Sequence, residues 1–313
     1  MEIRVENLTR RFGTLTAVSD LNLNVGSGEI FGLVGPDGAG KTTTIRMLAG
    51  ILDATSGAAW VGGHHCTRDL ARLTENIGYM SQGFGQYADL SIDENITFFA
   101  DLYDVPRRTR LELTKSLLHQ SGLLPFRRRL AMHLSGGMKQ KLALICALIH
   151  SPKVLFLDEP TNGVDPISRR DFWNILKSLK CSGVTIFVST SYLDEAEYCD
   201  RVGLMHNGRL IACETPALLK DQLGAKIIEV CCSTSRNFVE ELRERLESRS
   251  IALFGDRVHI VAEDVEATTT RVRLLAKEFG ISALELRILQ PSLEDVFIAR
   301  LKDPDREYSH AAN

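Results

Sequence analysis

The chain has 313 residues, of which 44% are apolar and 25% are charged, and its formal net charge is −3. This composition is typical of a folded globular protein with room for one large and one small domain, and the near-neutral charge argues against a nucleic-acid partner. The first residues are charged, the apolar stretch 142–149 is too short to cross a bilayer, and the cysteines follow no pairing pattern. We therefore expect a cytoplasmic chain without a signal peptide, which reaches a membrane only through a partner.

Short apolar runs alternate with helical patterns from the amino terminus to about residue 222. Near-continuous apolar runs predict strands that are buried on both faces. These runs lie at residues 30–34, 77–80, 154–157, 185–189 and 201–205. Together with the helices between them, they predict an α/β domain with a largely parallel core, preceded by an antiparallel pair at residues 3–8 and 21–25.

A glycine-rich loop follows the first of these buried strands and precedes a helical pattern. The letters GPDGAGKTT, residues 35–43, fit the spacing of a phosphate-binding loop. Its glycines let the backbone point N–H groups at phosphate oxygens, and the helix amino end adds a positive dipole. Lys41 is expected to reach the terminal phosphates and Thr42 to hold Mg²⁺. The predicted nucleotide-binding residues here are Gly35, Pro36, Asp37, Gly38, Ala39, Gly40, Lys41, Thr42 and Thr43.

Residues 85–151 contain no convincing strand and predict a helical subdomain set into the α/β core, with helices at 93–103, 109–121 and 136–150. The last of these helices begins in the letters LSGGMKQK, residues 134–141. A serine cap followed by two glycines at a helix start favours anion binding. The chain is therefore predicted to contain two helix amino ends that bind phosphate, one after the glycine-rich loop and one after Ser135.

Two acidic residues close the buried strand in KVLFLDEP, residues 153–160. Asp158 is expected to hold Mg²⁺ through water, as an acid at a strand end does in phosphate-loop NTPases. Glu159 is expected to accept a proton from an attacking water.

A well-capped helix at residues 215–224 marks the predicted boundary between a domain of residues 1–222 and a small domain of residues 225–301. The element order βαββαβ in residues 225–301 predicts a ferredoxin-like module. The polar tail, residues 302–313, is predicted to be disordered.

In this order and spacing, the motifs of residues 1 to about 222 resemble the nucleotide-binding subunit of an ABC transporter. The resemblance implies an α/β P-loop NTPase core with an antiparallel β subdomain and a helical subdomain, to which the small α+β carboxyl-terminal domain is added. It also implies ATP and Mg²⁺ as ligands. In the family, two subunits face each other head to tail, and each ATP is held between the phosphate loop of one and the signature helix of the other.

The resemblance implies roles for further residues. Phe12 matches the aromatic residue that stacks on adenine, although a core phenylalanine is the alternative. Gln82 matches the glutamine that touches Mg²⁺ and the attacking water, although a solvated loop residue is the alternative. Asp165 matches the loop that links the two sites. The signature that closes over the γ-phosphate of the other protomer is matched by Ser135, Gly136 and Gly137.

Ser191 departs from the family pattern. The letters STSYLDEAE, residues 189–197, match the family's segment, but the family has a histidine at position 191 that hydrogen-bonds the γ-phosphate. Serine is shorter and cannot carry a proton near neutral pH. We therefore expect ATP binding with slow hydrolysis at the chain's own site, which favours a heterodimer with a second ATPase. A homodimer in which serine and a bound water suffice remains the alternative.

The implied partners are a second ATPase protomer and an integral membrane permease, which would dock on the helical subdomain near residues 85–95 at the cytoplasmic face of the membrane. The segments TSYLDEAE and QPSLEDVFI, residues 190–197 and 290–298, resemble the drug and antibiotic export class. We therefore predict the motor of an exporter. The alternatives are a nucleotide-gated subunit with weak hydrolysis and a soluble ABC-type factor that is not part of a transporter.

Overall fold

In a computed structural model of the protein, the described residues are 1–231, 236–246, 251–255, 257–281 and 284–302. Apart from Lys302, which ends the last helix, the tail predicted to be disordered lies outside the described residues. The chain forms two compact units, Met1–Cys213 and Glu214–Asn313. Among the helices of the described ranges, none combines the length and hydrophobicity that crossing a bilayer requires.

The first unit is built on two sheets with helices around them. Its strands are β1 (Ile3–Phe12), β2 (Leu15–Val25), β3 (Ile30–Val34), β4 (Ser56–Val61), β5 (His64–His65), β6 (Ile77–Met80), β7 (Val154–Asp158), β8 (Thr185–Thr190), β9 (Arg201–His206) and β10 (Arg209–Glu214). Its helices are α1 (Lys41–Leu48), α2 (Leu70–Asn76), α3 (Ile92–Leu102), α4 (Arg107–Gln120), α5 (Gly136–Leu148), α6 (Pro166–Cys181) and α7 (Leu193–Ala196), with short 3₁₀ turns at Leu124–Phe126 and Ala131–His133.

The central sheet has the order β10-β9-β3-β8-β7-β6. The pairings β9–β3, β3–β8, β8–β7 and β7–β6 are parallel, which confirms the predicted parallel core. The residues of β3, β7 and β8 are all buried because helices cover both faces of the sheet. Val34 is paired with Thr190, and Asp158 with Ser189, so the carboxyl ends of these three neighbouring strands meet at one edge.

A second, antiparallel sheet has the order β2-β1-β4-β5. The predicted pair β1 and β2 is present, and both strands are longer than the sequence pattern indicated. The sequence analysis missed β4 because its letters, SGAAWV, are mostly small residues with little apolar alternation. Side chains from this sheet and from the central sheet share one hydrophobic core.

The helical subdomain is described throughout residues 81–153, and these residues form no strand. Ser91 and Glu94 form a capping box at the start of α3. Buried side chains of α3, α4 and α5 form a separate hydrophobic cluster. The predicted helices therefore lie where the apolar pattern placed them, within a few residues at each end.

The second unit contains a four-stranded sheet of order β12-β13-β11-β14. Its elements are α8 (Pro216–Gln222), β11 (Lys226–Cys231), α9 (Arg236–Arg245), β12 (Ile251–Phe254), β13 (Arg257–Ala262), α10 (Val265–Glu278), β14 (Glu285–Leu289) and α11 (Leu293–Lys302). The pairings β11–β13, β11–β14 and β12–β13 are antiparallel. Side chains of α9 and α10 pack on β11, β12 and β13 to form the core of this unit.

The boundary between the units differs from the predicted one. The sequence pattern predicts it after residue 222, whereas the compact units divide after Cys213 and thereby assign α8 to the second unit. The physical reason is that α8 packs against α11, where Gln222 Oε1 accepts a hydrogen bond of 2.9 Å from Arg300. This contact joins segments far apart in sequence, so cap residues alone could not reveal it.

The motif QPSLEDVFI begins α11 and anchors it to the sheet of the second unit. Asp295 accepts hydrogen bonds from the backbone N–H of Ser292 at 2.9 Å and from its hydroxyl at 2.6 Å. The other Asp295 oxygen lies 2.9 Å from Nδ1 of His259 on β13. This bond to Asp295 is the main cause that raises the pKa of His259 above its ordinary value. The motif therefore fixes the last helix to β13 through the hydrogen bond between Asp295 and His259.

Candidate nucleotide-binding site

The glycine-rich loop joins β3 to α1 at the edge where the three strands end. Gly40, immediately before α1, has a φ of 107°, and a Cβ there would lie 2.4 Å from the carbonyl oxygen of Ala17. A side chain at this position would therefore be both strained and sterically blocked. The backbone N–H of Gly35 donates to the carbonyl of Thr190 at 3.3 Å, which ties the start of the loop to the end of β8.

Lys41 is the first residue of α1, and its side chain is 4% exposed. Its Nζ donates to the carbonyl oxygens of Gly35 at 2.7 Å and Pro36 at 3.1 Å. It also lies 3.1 Å from Oε1 of Glu159, whose side chain is 6% exposed. The loop therefore holds a buried ammonium group against a buried carboxylate, and both sit at the predicted position of the terminal phosphates.

Asp158 ends β7 and is fully buried. Its Oδ1 accepts hydrogen bonds from Thr42 Oγ1 at 3.0 Å and from Ser189 Oγ at 2.7 Å. Its Oδ2 is buried, and no protein group in the described ranges donates to it. An orphaned carboxylate oxygen beside a threonine hydroxyl fits a cation or its bound water.

These residues fit Mg²⁺ in the way that phosphate-loop proteins hold it. The described part of the chain contains no cluster of three or more His, Cys, Asp or Glu side chains arranged for a metal. Mg²⁺ usually takes one or two protein ligands, and water and substrate phosphates complete its shell. Thr42 and Asp158 supply two such oxygens, and Gln82 lies nearby through its contact with Glu159.

Glu159 follows the end of β7 in a left-handed conformation, with a φ of 47°. Such a conformation costs a non-glycine residue on the order of 1–3 kcal/mol and is frequent at functional sites. The backbone N–H of Glu159 is bonded to the hydroxyl of Ser189 at 3.0 Å. Its Oε2 accepts hydrogen bonds from Gln82 at 2.9 Å and from Asn162 at 3.3 Å. The carboxylate is thus oriented from two sides.

A cavity of about 690 Å³ opens over these groups. Its lining residues are Phe12, Leu15, Thr16, Ala17, Asp37, Gly38, Ala39, Gly40, Lys41, Thr42, Thr43, Gln82, Glu159, Asn207 and Gly208. The ring of Phe12 is 45% exposed, and the Arg10 guanidinium lies 4.5 Å from its centre. An exposed aromatic face at the rim of a phosphate loop suits stacking on a planar base.

The remaining predicted residues do not line this cavity. Ser135 caps α5 by accepting a hydrogen bond from the backbone N–H of Met138 at 3.4 Å. Asp165 caps α6, where the backbone N–H of Ser168 donates at 2.9 Å and lowers the pKa of the carboxyl. A Cβ at Gly137 would lie 2.5 Å from Cβ of Ser168, so the amino ends of α5 and α6 touch. Ser135, Gly136 and Asp165 are therefore exposed near one another, whereas Gly137 is buried at the contact between the two helices.

Ser191 follows β8 directly and is half-buried. Its neighbour Thr190 contacts the phosphate loop through its carbonyl oxygen, but Ser191 itself is outside the cavity lining. The predicted catalytic residues therefore separate into two groups. Glu159 and Gln82 are hydrogen-bonded to each other at the cavity, whereas Ser191 lies beside it.

Sequence reasoning missed Ser189, which is fully buried and bonds both acids of the site. It also missed the turn Asn207–Gly208, which lines the cavity next to the phosphate loop. The backbone N–H of Gly208 donates to the carbonyl of Ala39 at 2.9 Å. A hydroxyl residue at the end of a buried strand could have identified Ser189. The letters NG do predict a hairpin turn at residues 207–208, but no local signal places that turn at the cavity.

Comparison with known proteins finds similarity to ABC transporters and to ATP-binding proteins of drug and antibiotic resistance. Residues 18–162 match the family model described as ABC transporter. The chain is 44% identical over 220 residues to a probable multidrug ABC transporter ATP-binding protein, YbhF, of Escherichia coli, covering 70% of this chain and 38% of that protein. It therefore spans less than half the length of that relative. The linearmycin resistance ATP-binding protein LnrL of Bacillus subtilis is 31% identical over 95% of this chain and 97% of its own length.

A solved structure is similar to about two thirds of this chain. The dimeric structure of MJ0796, a bacterial ABC transporter cassette, matches with a TM-score of 0.63 at 25% identity. The match covers 68% of this chain and 98% of that chain.

Ser189 generates a prediction about metal dependence. In Ser189→Ala, Asp158 loses a charge-assisted hydrogen bond of the kind worth about 1.5–3 kcal/mol. We expect affinity for Mg·ATP to fall roughly 10-fold, while affinity for metal-free ATP stays unchanged, as measured by calorimetric titration. Ser182→Ala is the control, since that hydroxyl donates to the Ser178 carbonyl on an exposed helix end. Unchanged Mg·ATP affinity in Ser189→Ala would refute the metal-orienting role.

Proposed function

Because the chain belongs to the family of ABC transporter ATP-binding proteins, we propose that it binds and hydrolyses ATP to drive export of a small molecule through a separate membrane permease. The observation that carries the proposal is that the phosphate loop, Phe12 and Glu159 meet in one cavity close to Asp158. Each of these groups has a distinct task in nucleotide chemistry.

ATP would enter with its adenine on the exposed ring of Phe12 and its phosphates in the loop of residues 35–43. The N–H groups at the amino end of α1 and the ammonium of Lys41 bind the phosphate oxygens. Thr42, Asp158 and Gln82 would hold Mg²⁺, which neutralises charge on the phosphates. The orphaned Oδ2 of Asp158 supports this assignment.

Glu159 is proposed to accept the proton of the attacking water, and Gln82 to orient that water. Lys41 and Glu159 are ion-paired at 3.1 Å. A triphosphate in the loop offers Lys41 a more highly charged partner than Glu159. Glu159 then keeps its hydrogen bonds to Gln82 and Asn162 and is free to act as a base. Substrate binding and activation of the base would thus be linked.

We propose that a second ATPase protomer completes the site. Ser135, Gly136, Gly137 and Asp165 lie outside the lining of the chain's own cavity, and all of them except the buried Gly137 are exposed. A capped helix amino end at a surface suits binding of the γ-phosphate held by another subunit. The dimeric state of the MJ0796 cassette supports this arrangement.

We also propose that hydrolysis at the chain's own site is slow, because Ser191 stands where the family has histidine. The signature and Glu159 are intact, so this chain would complete a competent site on a second ATPase that carries the histidine. That favours a heterodimer. The alternative function, a nucleotide-gated subunit with weak turnover, rests on the same residue.

The permease is proposed to dock on the helical subdomain. Tyr87 and Phe98 are 46% and 40% exposed, and their ring centres lie 4.7 Å apart. An exposed aromatic pair on a helical surface favours contact with another protein. This surface includes part of residues 85–95, and docking there would place the chain at the cytoplasmic face of the membrane. Export of a drug-like or antibiotic-like substrate is supported by the names of the YbhF and LnrL relatives.

Lys41→Ala tests ATP binding. Loss of a buried ammonium that contacts phosphate should weaken ATP binding about 10- to 100-fold, as measured by calorimetry or by displacement of a fluorescent ATP analogue. Lys115→Ala, at an exposed position of α4, should leave affinity unchanged. If Lys41→Ala binds ATP as tightly as the unaltered protein, the proposed nucleotide site is wrong.

Ser191→His tests the slow-site hypothesis. A histidine restores a positioned group worth on the order of 10²–10⁴ in rate, so the steady-state ATPase rate of the purified chain should rise at least about 10-fold. Ser182→His, at an exposed helix end, is the control and should not change the rate. An unchanged rate in Ser191→His would favour the homodimer in which serine and water suffice.

A membrane experiment tests the docking surface. We expect the tagged chain, purified from solubilised membranes, to bring along a multi-span integral protein identified by mass spectrometry. The double variant Tyr87→Glu and Phe98→Glu should lose it while still binding ATP. Ile51→Glu changes a residue that is 56% exposed outside the helical subdomain and should retain it. Equal recovery with the double variant would place the permease elsewhere.

A further inference from the structure

Glu195 is a fully buried carboxylate that takes no part in the proposed ATP chemistry. It belongs to the short helix α7, four residues after Ser191, and its exposed fraction is 0%. Buried carboxylates are costly unless they are paired and hydrogen-bonded. The groups that satisfy Glu195 therefore show what it holds together.

Two hydroxyl donors and one guanidinium surround the carboxylate. Thr161 Oγ1 donates to Oε1 at 2.5 Å, and Thr190 Oγ1 donates to Oε2 at 2.8 Å. Arg169 forms an ion pair with Oε1, with its Nε at 3.3 Å. Thr161 and Thr190 are both 1% exposed, so water cannot readily replace their bonds to Glu195.

Each of these three partners lies on a segment that carries part of the proposed ATP site. Thr161 comes two residues after Glu159. Thr190 precedes Ser191, and its carbonyl accepts the N–H of Gly35 in the phosphate loop. Arg169 lies in α6, and its backbone N–H donates to the carbonyl of Asp165, the cap residue of that helix, at 2.9 Å. One carboxylate therefore fastens three functional segments to each other.

Arg169 also contacts the segment after β8 directly. Its guanidinium lies 4.2 Å from the centre of the Tyr192 ring, and the Tyr192 hydroxyl lies 3.4 Å from Asn162 Oδ1. Asn162 in turn donates to Glu159. These side chains thus form a continuous series of contacts, which we call the circuit. It runs from Glu195 through Arg169, Tyr192 and Asn162 to Glu159. Asp194 touches the same guanidinium at 3.7 Å, but its side chain is 75% exposed.

We propose that Glu195 is a positioning residue for ATP hydrolysis, which fixes the segments of Glu159 and Ser191 relative to the helix that begins at Asp165. This inference rests on the proposed ATPase function. It adds a connection between the chain's own cavity and the surface offered to the second protomer. None of the side chains of the circuit would bind adenine or the phosphates directly, so we expect Glu195 to affect turnover more than ATP affinity.

The test compares Glu195→Gln with Asp194→Asn in the full-length protein. Glutamine keeps the size and one acceptor oxygen of glutamate but removes the charge that holds Arg169. We expect kcat of Glu195→Gln to fall about 10-fold or more while KM for ATP stays within about 3-fold. Asp194→Asn removes an exposed contact to the same arginine and should leave both parameters unchanged. If part of a variant is unfolded, its apparent kcat falls only because fewer active sites are present. Rates are therefore divided by the concentration of ATP-binding sites, measured by titration.

A second variant keeps the test valid if Glu195→Gln misfolds. A second measurement keeps it valid if the unaltered protein hydrolyses ATP too slowly for a reliable comparison of rates. Thr190→Val is nearly isosteric, removes one donor, and should lower kcat about 3-fold or more without changing KM. In both Glu195→Gln and Thr190→Val, backbone hydrogen–deuterium exchange should become faster in residues 159–165 and also in residues 189–193. In Asp194→Asn, exchange should stay unchanged in both segments. If the unaltered chain shows no ATPase activity, the proposed function fails, and the exchange result alone decides the role of Glu195. Unchanged exchange in either segment, or a change in KM equal to that in kcat, overturns the inference.

Discussion

The parallel pairing of β3, β8 and β7 is the constraint on which the rest of the site depends. Parallel strands that are neighbours in a sheet end at the same edge, and ligands of open α/β sheets bind there. Here the pairing brings together a glycine-rich loop after β3, two acids at the end of β7 and a hydroxyl-rich segment at the end of β8. Residues more than a hundred positions apart in sequence thus come within hydrogen-bond distance, as Thr42 and Asp158 do at 3.0 Å.

Most of the buried charged groups at this edge have their partners within the chain. Lys41, Asp158, Glu159 and Glu195 are all at most 6% exposed. Isolated charges in such surroundings are strongly disfavoured, so each must have partners. Lys41 and Glu159 satisfy each other, Glu195 accepts two hydrogen bonds and pairs with Arg169, and Asp158 keeps a buried oxygen that no described protein group satisfies. This unsatisfied carboxylate oxygen lies where the proposed chemistry needs a cation.

Much of this could be predicted from the sequence because the signals are local. The loop GPDGAGKTT and the strand end at Asp158 carry their own geometry, and the structure brings Lys41, Thr42, Gln82 and Glu159 together as expected. What could not be predicted depends on contacts between distant segments. The assignment of α8 to the second unit follows from its packing on α11, and Ser189 matters only because β8 pairs with β7. The relation of Ser135 and Asp165 to a second protomer lies beyond any one chain and stays a prediction.

The close approach of α5 and α6 has a mechanical consequence. No side chain fits at Gly137, where a Cβ would stand 2.5 Å from Ser168, so the two helix ends are in direct steric contact. Tightly packed elements shift as rigid bodies and deform little. A displacement of the helical subdomain that moves α5 would therefore also move the start of α6, because the two helix ends are in contact. Gly137, which has no side chain, thus allows the two helices to meet closely enough to move together.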